Sequence, residues 1–334
     1  MSATMPSAGA GAASAAAAAS VHRGERGSLL ALRLIAWIAL TLGRPVARLL
    51  LHPISLYFML AAPAPRRHSA RYLRRVLGRR PRWSERSRHF HCFASTVLDR
   101  VYFVRGQVEA FDLRISVDAG CQAARAAGRG VFLVGAHLGS FESLHGAGKA
   151  SPDLRVTMVM YPENARKIHS VLQALAPDFK LAVIAIGKPG STLAIRDALD
   201  AGRAVGMLAD RIPDPAAATK PGRGAWPRAA ARGMNVEVPF LGQPALFSEG
   251  PFRLAMLLRR RVIFMVGLYL GGRRYDLRFE TLADFTDPPA DAAAREQLVH
   301  QALHDYVARL EALCHEAPYN WFNFHDFWRE DSAA

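Results

Sequence analysis

Val131-Phe-Leu-Val-Gly-Ala-His137-Leu-Gly-Ser-Phe-Glu142 decides how this chain is read. The apolar run 131–134 has the continuous hydrophobicity of a strand buried on both faces, with Gly135 and Ala136 at its exit. From about Ser140 onward the pattern predicts a helix. Five positions along a regular helix would turn Glu142 well off the face of His137. The two meet only if His137 sits on the strand exit and Glu142 in the first helical turn, with Gly139 making the bend. Such a corner sets an imidazole with a carboxylate behind it beside the N–H groups of a helix start. The competing reading is a histidine hydrogen-bonded at a strand end without chemistry.

Working outward, the pattern from about Phe111 alternates strand and helix. Strands are predicted near 113–116, 131–136, 155–160, 181–186 and 204–209, and helices near 120–128, 140–149, 164–175 and 190–201. Further strands follow near 236–240, 262–269 and 275–280, and a last helix near 291–315. That alternation predicts an α/β fold with a largely parallel central sheet flanked by helices. Residues 212–235, rich in Pro, Ala, Gly and Arg, read as a flap or insertion. Gly271-Gly272 predicts a hairpin. Gly187-Lys-Pro-Gly-Ser191 lacks the phosphate-loop spacing and reads as a turn before a helix. Gly139-Ser140 is no nucleophile elbow, and Asp284 and Asp287 read as turn or cap residues.

The N-terminal third differs in composition. Residues 1–27 begin as an Ala/Ser/Gly tract, predicted disordered, and lack the charged leader of a signal peptide. Residues 28–62 are strongly apolar but broken by Arg33, Gly43, Arg44, Pro45, Arg48 and Pro53. They read as two helices, 29–42 and 46–59, lying in a membrane interface, as one tilted span, or as buried core helices. Membrane contact is favoured, because the helical segment 63–110 that follows is arginine-rich and suits anionic headgroups. Across the 334 residues, 43 basic and 28 acidic side chains leave a net +15, which favours an anionic partner. Nucleic acid is disfavoured: no reader motif is present, and aromatics do not alternate with the basic residues. His89 and His91 would point to different faces of a helix, and Cys92, Cys121 and Cys314 form no zinc-type set, so neither a metal nor a prosthetic group is expected.

The His137-to-Glu142 spacing resembles the acyltransferase signature of a histidine, four residues and an acid. Ala204-Val-Gly-Met-Leu-Ala209 before Asp210-Arg211 is similar to that superfamily's later strand-then-acid block. Val238-Pro-Phe-Leu-Gly242, the segment 247–255 and the strand 262–269 follow in the same order, and Ala317-Pro-Tyr-Asn-Trp321 resembles its terminal Pro-x-x-x-Trp element. Covering roughly residues 28–328, the resemblance is to the late lipid A biosynthesis acyltransferase family, within the lysophospholipid acyltransferase superfamily. The ending Asn320-Trp-Phe-Asn-Phe324 is similar to the branch found with aryl polyene gene clusters.

The resemblance implies an O-acyltransferase domain over 111–330 at the cytoplasmic face of a bacterial inner membrane. Its donor would be an acyl carrier protein or CoA thioester, and its acceptor a lipid or glycolipid hydroxyl. His137 would be the general base and Glu142 its partner. Backbone N–H groups at Gly139 and Ser140 would stabilise the oxyanion, and Asp210, Arg211 and Arg166 would bind the acceptor. The family's Gly-Arg pair is absent: Leu172-Gln-Ala-Leu-Ala-Pro-Asp178-Phe-Lys180 stands there, with Arg166, Lys167 and Lys180 as basic substitutes. That departure leaves the acceptor open between lipid A precursors and other lipids. A lysophospholipid acyltransferase and a catalytically inactive basic scaffold at the membrane are the rival readings.

Overall fold

The computed structural model describes residues 37–144, 155–162, 182–212 and 234–328. Along the chain these form α1 (Gly43–Ala61), α2 (Pro63–Val76), α3 (Trp83–Val104), β1 (Asp112–Val117), α4 (Ala119–Ala126), β2 (Phe132–Gly135), β3 (Val156–Met160) and β4 (Ala182–Ala185). Then come α5 (Ser191–Asp200), β5 (Ala204–Leu208), β6 (Asn235–Phe240), β7 (Gln243–Ser248), α6 (Gly250–Leu257), β8 (Arg261–Tyr269), β9 (Arg274–Asp284) and α7 (Ala292–Glu316). The expected helix 164–175, half of 140–149, most of 29–42, residues 213–233 of the flap and Arg166 lie outside the described residues.

A seven-stranded sheet in the order β1-β9-β8-β2-β5-β3-β4 organises the fold. β8, β2, β5, β3 and β4 are mutually parallel, while β9 returns antiparallel to β8 and carries β1 parallel to itself. The α/β, mostly parallel architecture expected from the alternating pattern is therefore present. β2 is central, and its four residues are all buried. Phe132 and Val134 face one core with α6 and α7, and Leu133 faces the other with α1 and α3. β8 divides the same way, with Val262, Phe264 and Val266 on one side and Ile263 and Met265 on the other. Each such side chain contributes roughly 1.5–3 kcal/mol by leaving water, which is why this run admits no polar residue.

The expected hairpin at Gly271-Gly272 joins β8 to β9. A second hairpin, β6–β7, adds a strand over Gln243–Ser248 beyond those expected from the sequence. Its two-residue turn, Leu241-Gly242, has positive φ at both positions. A leucine there hides the usual Asn-Gly signal. Burial of the Leu241 side chain, and an N–H bond to Glu311 Oε2 at 2.9 Å, hold that conformation.

At the N-terminal end, α1 meets α2 at a 98° bend, with Pro63 starting α2. Pro53 lies inside α1 rather than breaking it. No single described helix is long and apolar enough to cross a membrane, although the bent α1–α2 pair passes by length and composition. Buried Ala47, Leu51, Ser55 and Met59 form one narrow stripe down α1. Arg44 fastens the helix start, binding buried Asp99 of α3 through Nε at 2.8 Å and Nη2 at 2.7 Å, and Tyr275 donates to the same carboxylate at 2.8 Å.

The basic segment 63–110 packs into the domain. Tyr72, Leu73 and Val76 of α2 enter one core, and Leu98, Val101 and Phe103 of α3 the other. His89 of α3 lies fully buried between Ser69 Oγ at Nδ1 (2.8 Å) and the Trp321 carbonyl at Nε2 (2.9 Å). A carbonyl only accepts, so Nε2 carries the proton and Nδ1 accepts from Ser69. Burial pushes this imidazole down to about 4, and it remains neutral. His91 instead stacks on His52 of α1, at 4.4 Å between ring centroids.

Candidate functional site: a histidine–aspartate pair at the strand ends

β2 and β5 are neighbours, and the residues leaving their carboxyl ends meet. The Gly135 carbonyl accepts from Ala209 N at 3.0 Å and from Tyr306 Oη of α7 at 2.9 Å, fixing where both strands stop. Two residues beyond each strand stand His137 and Asp210. Ligands gather at this edge of open α/β sheets.

The chain then turns at Gly139, whose φ is +70°. A Cβ there would lie 2.1 Å from the Gly267 carbonyl oxygen, so only glycine fits. Gly139 N–H donates to Asn320 O at 2.8 Å, and Ser140 N–H to Gly267 O at 2.8 Å. These bonds correct the expectation that Gly139 and Ser140 offer their N–H groups to an oxyanion: both are already used to dock the turn on β8 and on the C-terminal segment.

Asp210 holds His137 twice. Its Oδ2 accepts the His137 backbone N–H at 3.0 Å, and its Oδ1 lies 2.8 Å from the imidazole Nδ1. The buried Trp321 indole donates to Oδ2 at 3.0 Å. Burial alone would push the Asp210 carboxyl up; the charge and hydrogen bond of His137, the charge of Arg211 and the Trp321 indole outweigh it and hold the group well below the usual carboxylate range. An ionised carboxylate only accepts, so Nδ1 bears a proton, and the neutral tautomer this bond selects has its lone pair at Nε2. The His137 side chain is 34% exposed while Asp210 is 1% exposed, so the ring reaches the surface with its partner beneath it.

Next to the pair, Phe322 N–H donates to His137 O at 2.9 Å, as in an antiparallel ladder. The reciprocal bond, His137 N–H to Phe322 O, does not form. Asp210 takes the N–H, and Arg211 Nη2 donates to Phe322 O at 3.3 Å. The Asp210-Arg211 dipeptide thus wedges into the end of this ladder, one charge on each strand. Arg211 is exposed there.

Glu142 does not partner His137. Its Oε1 forms a salt bridge at 2.7 Å with Nε of Arg100 on α3, and Ser140 Oγ donates weakly to Oε2 at 3.5 Å. The turn after Gly139 sends the carboxylate toward α3, away from the imidazole. Asp210, expected to bind the acceptor, is the hydrogen-bond partner of His137. Trp321 is marked in the sequence by the Pro-x-x-x-Trp element, while its tie to Asp210 has no local signal. The role of Arg100 carried no local signal.

No described hydroxyl or thiol is placed as a protein nucleophile. Ser143 Oγ donates to Ser140 O at 2.6 Å, and Ser140 Oγ accepts from Ser143 N at 3.2 Å. Burial pushes the thiols of Cys92 and Cys121 up to about 11 and about 12, and that of Cys314 higher still. Away from this edge, Glu249, Glu296 and His300 bring ligand-type atoms within 4.8 Å of one another. Arg253 binds both carboxylates, Nη2 to Glu249 at 2.6 Å and Nη1 to Glu296 at 2.7 Å, so the group reads as an ion-pair network tying α6 to α7. No protein-family model matches the chain, and no curated protein does.

Asp210→Asn keeps the shape and removes the acceptor that fixes the tautomer. Turnover of any reaction using His137 should fall by about 10²-fold or more, with little change in substrate KM. Trp321→Phe should keep turnover measurable but lower stability by about 1.5–3 kcal/mol in urea unfolding, the usual worth of a hydrogen bond to a charged group. Unchanged turnover in folded Asp210→Asn would contradict the pairing.

Proposed function

We propose that this protein is an O-acyltransferase that moves an acyl group from an acyl carrier protein or CoA thioester to a hydroxyl of a membrane lipid or glycolipid. The observation that carries the reading is the His137–Asp210 pair, 2.8 Å apart at the carboxyl edge of a mostly parallel sheet. It leaves Nε2 as a base with no nucleophilic side chain hydrogen-bonded to it among the described residues, which suits direct attack by a substrate hydroxyl. The order of motifs from His137 to Trp321, similar to the late lipid A acyltransferases, supports the same reaction class. In this reading His137 takes the hydroxyl proton. Asp210 orients the imidazole and stabilises its protonated form, and Trp321 holds Asp210. Glu142, with Arg100, braces the turn that carries His137 rather than acting on the proton.

The exposed surface supports an acceptor held in a membrane. Leu49, Tyr57, Phe58 and Leu60 of α1 are exposed at 69%, 65%, 56% and 52%, and Trp37 and Leu42 precede them. Apolar side chains gathered on one exposed helix suit an interfacial membrane contact, and Arg66, Arg67 and Arg74 on the adjoining α2 suit anionic headgroups. The proposed place is the cytoplasmic face of a bacterial inner membrane.

His137→Ala in the purified, folded protein should lower acyl transfer by about 10²–10⁴-fold. Wild-type-like transfer in that variant would refute the assignment. The Leu49→Asp, Phe58→Asp double variant should keep its fold, since both side chains are exposed, and lose binding to phosphatidylethanolamine–phosphatidylglycerol vesicles in high salt. Wild type should stay bound there, because salt screens arginine contacts but not apolar insertion. Equal salt-resistant binding by both proteins would end the interfacial reading.

A further inference from the structure

Thioester attack creates an oxyanion that needs hydrogen-bond donors, and three backbone N–H groups beside the base are already committed. His137 N–H goes to Asp210, Gly139 N–H to Asn320 O and Ser140 N–H to Gly267 O. Arg100 is engaged by Glu142. Arg211 differs from these. It follows Asp210 directly, it is exposed, and its hydrogen bond among the described residues is the long 3.3 Å contact of one Nη with Phe322 O. Phe322 is also the residue whose N–H binds His137 O, so the guanidinium lies on the backbone pair that carries the base. Asp210 and Arg211 feel each other's charge, but the hydrogen bonds to the Asp210 oxygens come from His137 and Trp321 rather than from the Arg211 fork. A guanidinium has several N–H donors in a fixed fork, and among the described residues one weak contact uses a single donor of that fork.

We infer that Arg211 is a catalytic residue that stabilises the thioester oxyanion, rather than a binding residue for the acceptor. The inference rests on the acyl-transfer reading. His137 Nε2 accepts the hydroxyl proton as the oxygen attacks the thioester carbonyl carbon. The carbonyl π pair moves onto its oxygen, which the Arg211 guanidinium receives. Collapse re-forms the C=O bond and breaks C–S, and the leaving thiolate takes the proton back from His137. Sulfur departs as a free thiol, and one ester replaces one thioester. A developing charge met by a preset donor is stabilised more in the transition state than in the bound ground state, so the effect falls on kcat. An acceptor-binding arginine would act on the acceptor KM instead.

Thiol release from palmitoyl-CoA by the full-length protein separates the roles, because hydrolysis without an acceptor needs the oxyanion but no acceptor site. Arg211→Ala should lower kcat by about 10²–10³-fold both without acceptor and with extracted membrane lipids supplied, leaving KM for palmitoyl-CoA and for lipid little changed. Arg211→Lys, which keeps the charge but not the fork, should recover part of the loss, and it serves as the readout if Arg211→Ala misfolds. Hydrolysis at the wild-type rate in folded Arg211→Ala or Arg211→Lys, with or without a raised lipid KM, overturns the inference. If His137→Ala is inactive in the same assay, the acyl-transfer reading survives that failure. A wild-type protein that releases no thiol and transfers no acyl group from either palmitoyl-CoA or a palmitoyl carrier-protein thioester overturns both.

Discussion

A carboxylate taken out of water is costly unless its lone pairs are occupied, and Asp210 is buried where the exits of β2 and β5 and the C-terminal segment converge. Three N–H groups meet that charge: the His137 backbone, the His137 imidazole and the Trp321 indole. Removing one partner of such a buried pair commonly costs about 3–5 kcal/mol, because the other charge is stranded. The same contacts therefore hold the strand ends in place and fix the imidazole tautomer. Local stability and site chemistry are one set of bonds here.

The C-terminal segment closes the arrangement. Trp321 is wrapped edge-on by Tyr72, Phe240 and Phe327, with ring centroids 5.0–5.3 Å away, and its carbonyl is gripped by His89. Asn320 copies a strand's backbone with its side chain, accepting from Tyr269 N at 2.8 Å and donating to Tyr269 O at 3.1 Å. Helices α2 and α3 and strand β8 are thereby joined through two adjacent residues to the carboxylate under His137. A change in any of these helices reaches the imidazole through a short chain of buried hydrogen bonds. The N-terminal helices are thus bound into the support of the site as well as carrying the exposed apolar face.

Much of the sheet was legible because burial on both faces forces continuous apolar runs, and 131–134, 204–209 and 262–269 obey that rule. β7 carries little local signal, because Gln243 and Pro244 open it and Leu241 occupies a turn position that asparagine would mark. His137 and Asp210 were each visible as polar residues at the ends of apolar strands. Their pairing was not, since it depends on β5 lying next to β2, which local pattern does not encode. The His137-to-Glu142 spacing, and the signature it resembles, point to Glu142 as the partner of the imidazole. The backbone turn at Gly139, docked on Gly267 and Asn320, then directs that carboxylate to Arg100. The same docking consumes the N–H groups that a bare glycine turn seemed to offer.

The central claim is that Asp210 fixes His137 with its proton on Nδ1 and its lone pair on Nε2. Long-range ¹H–¹⁵N correlation spectra of protein labelled with ¹⁵N-histidine read this directly, with the His137 signal assigned by its loss in His137→Ala. At neutral pH the account predicts that the neutral ring is the Nδ1–H tautomer, with a hydrogen-bonded proton that is lost or moved in Asp210→Asn. An Nε2–H tautomer in the wild-type protein, or a His137 signal unaffected by Asp210→Asn, would contradict it.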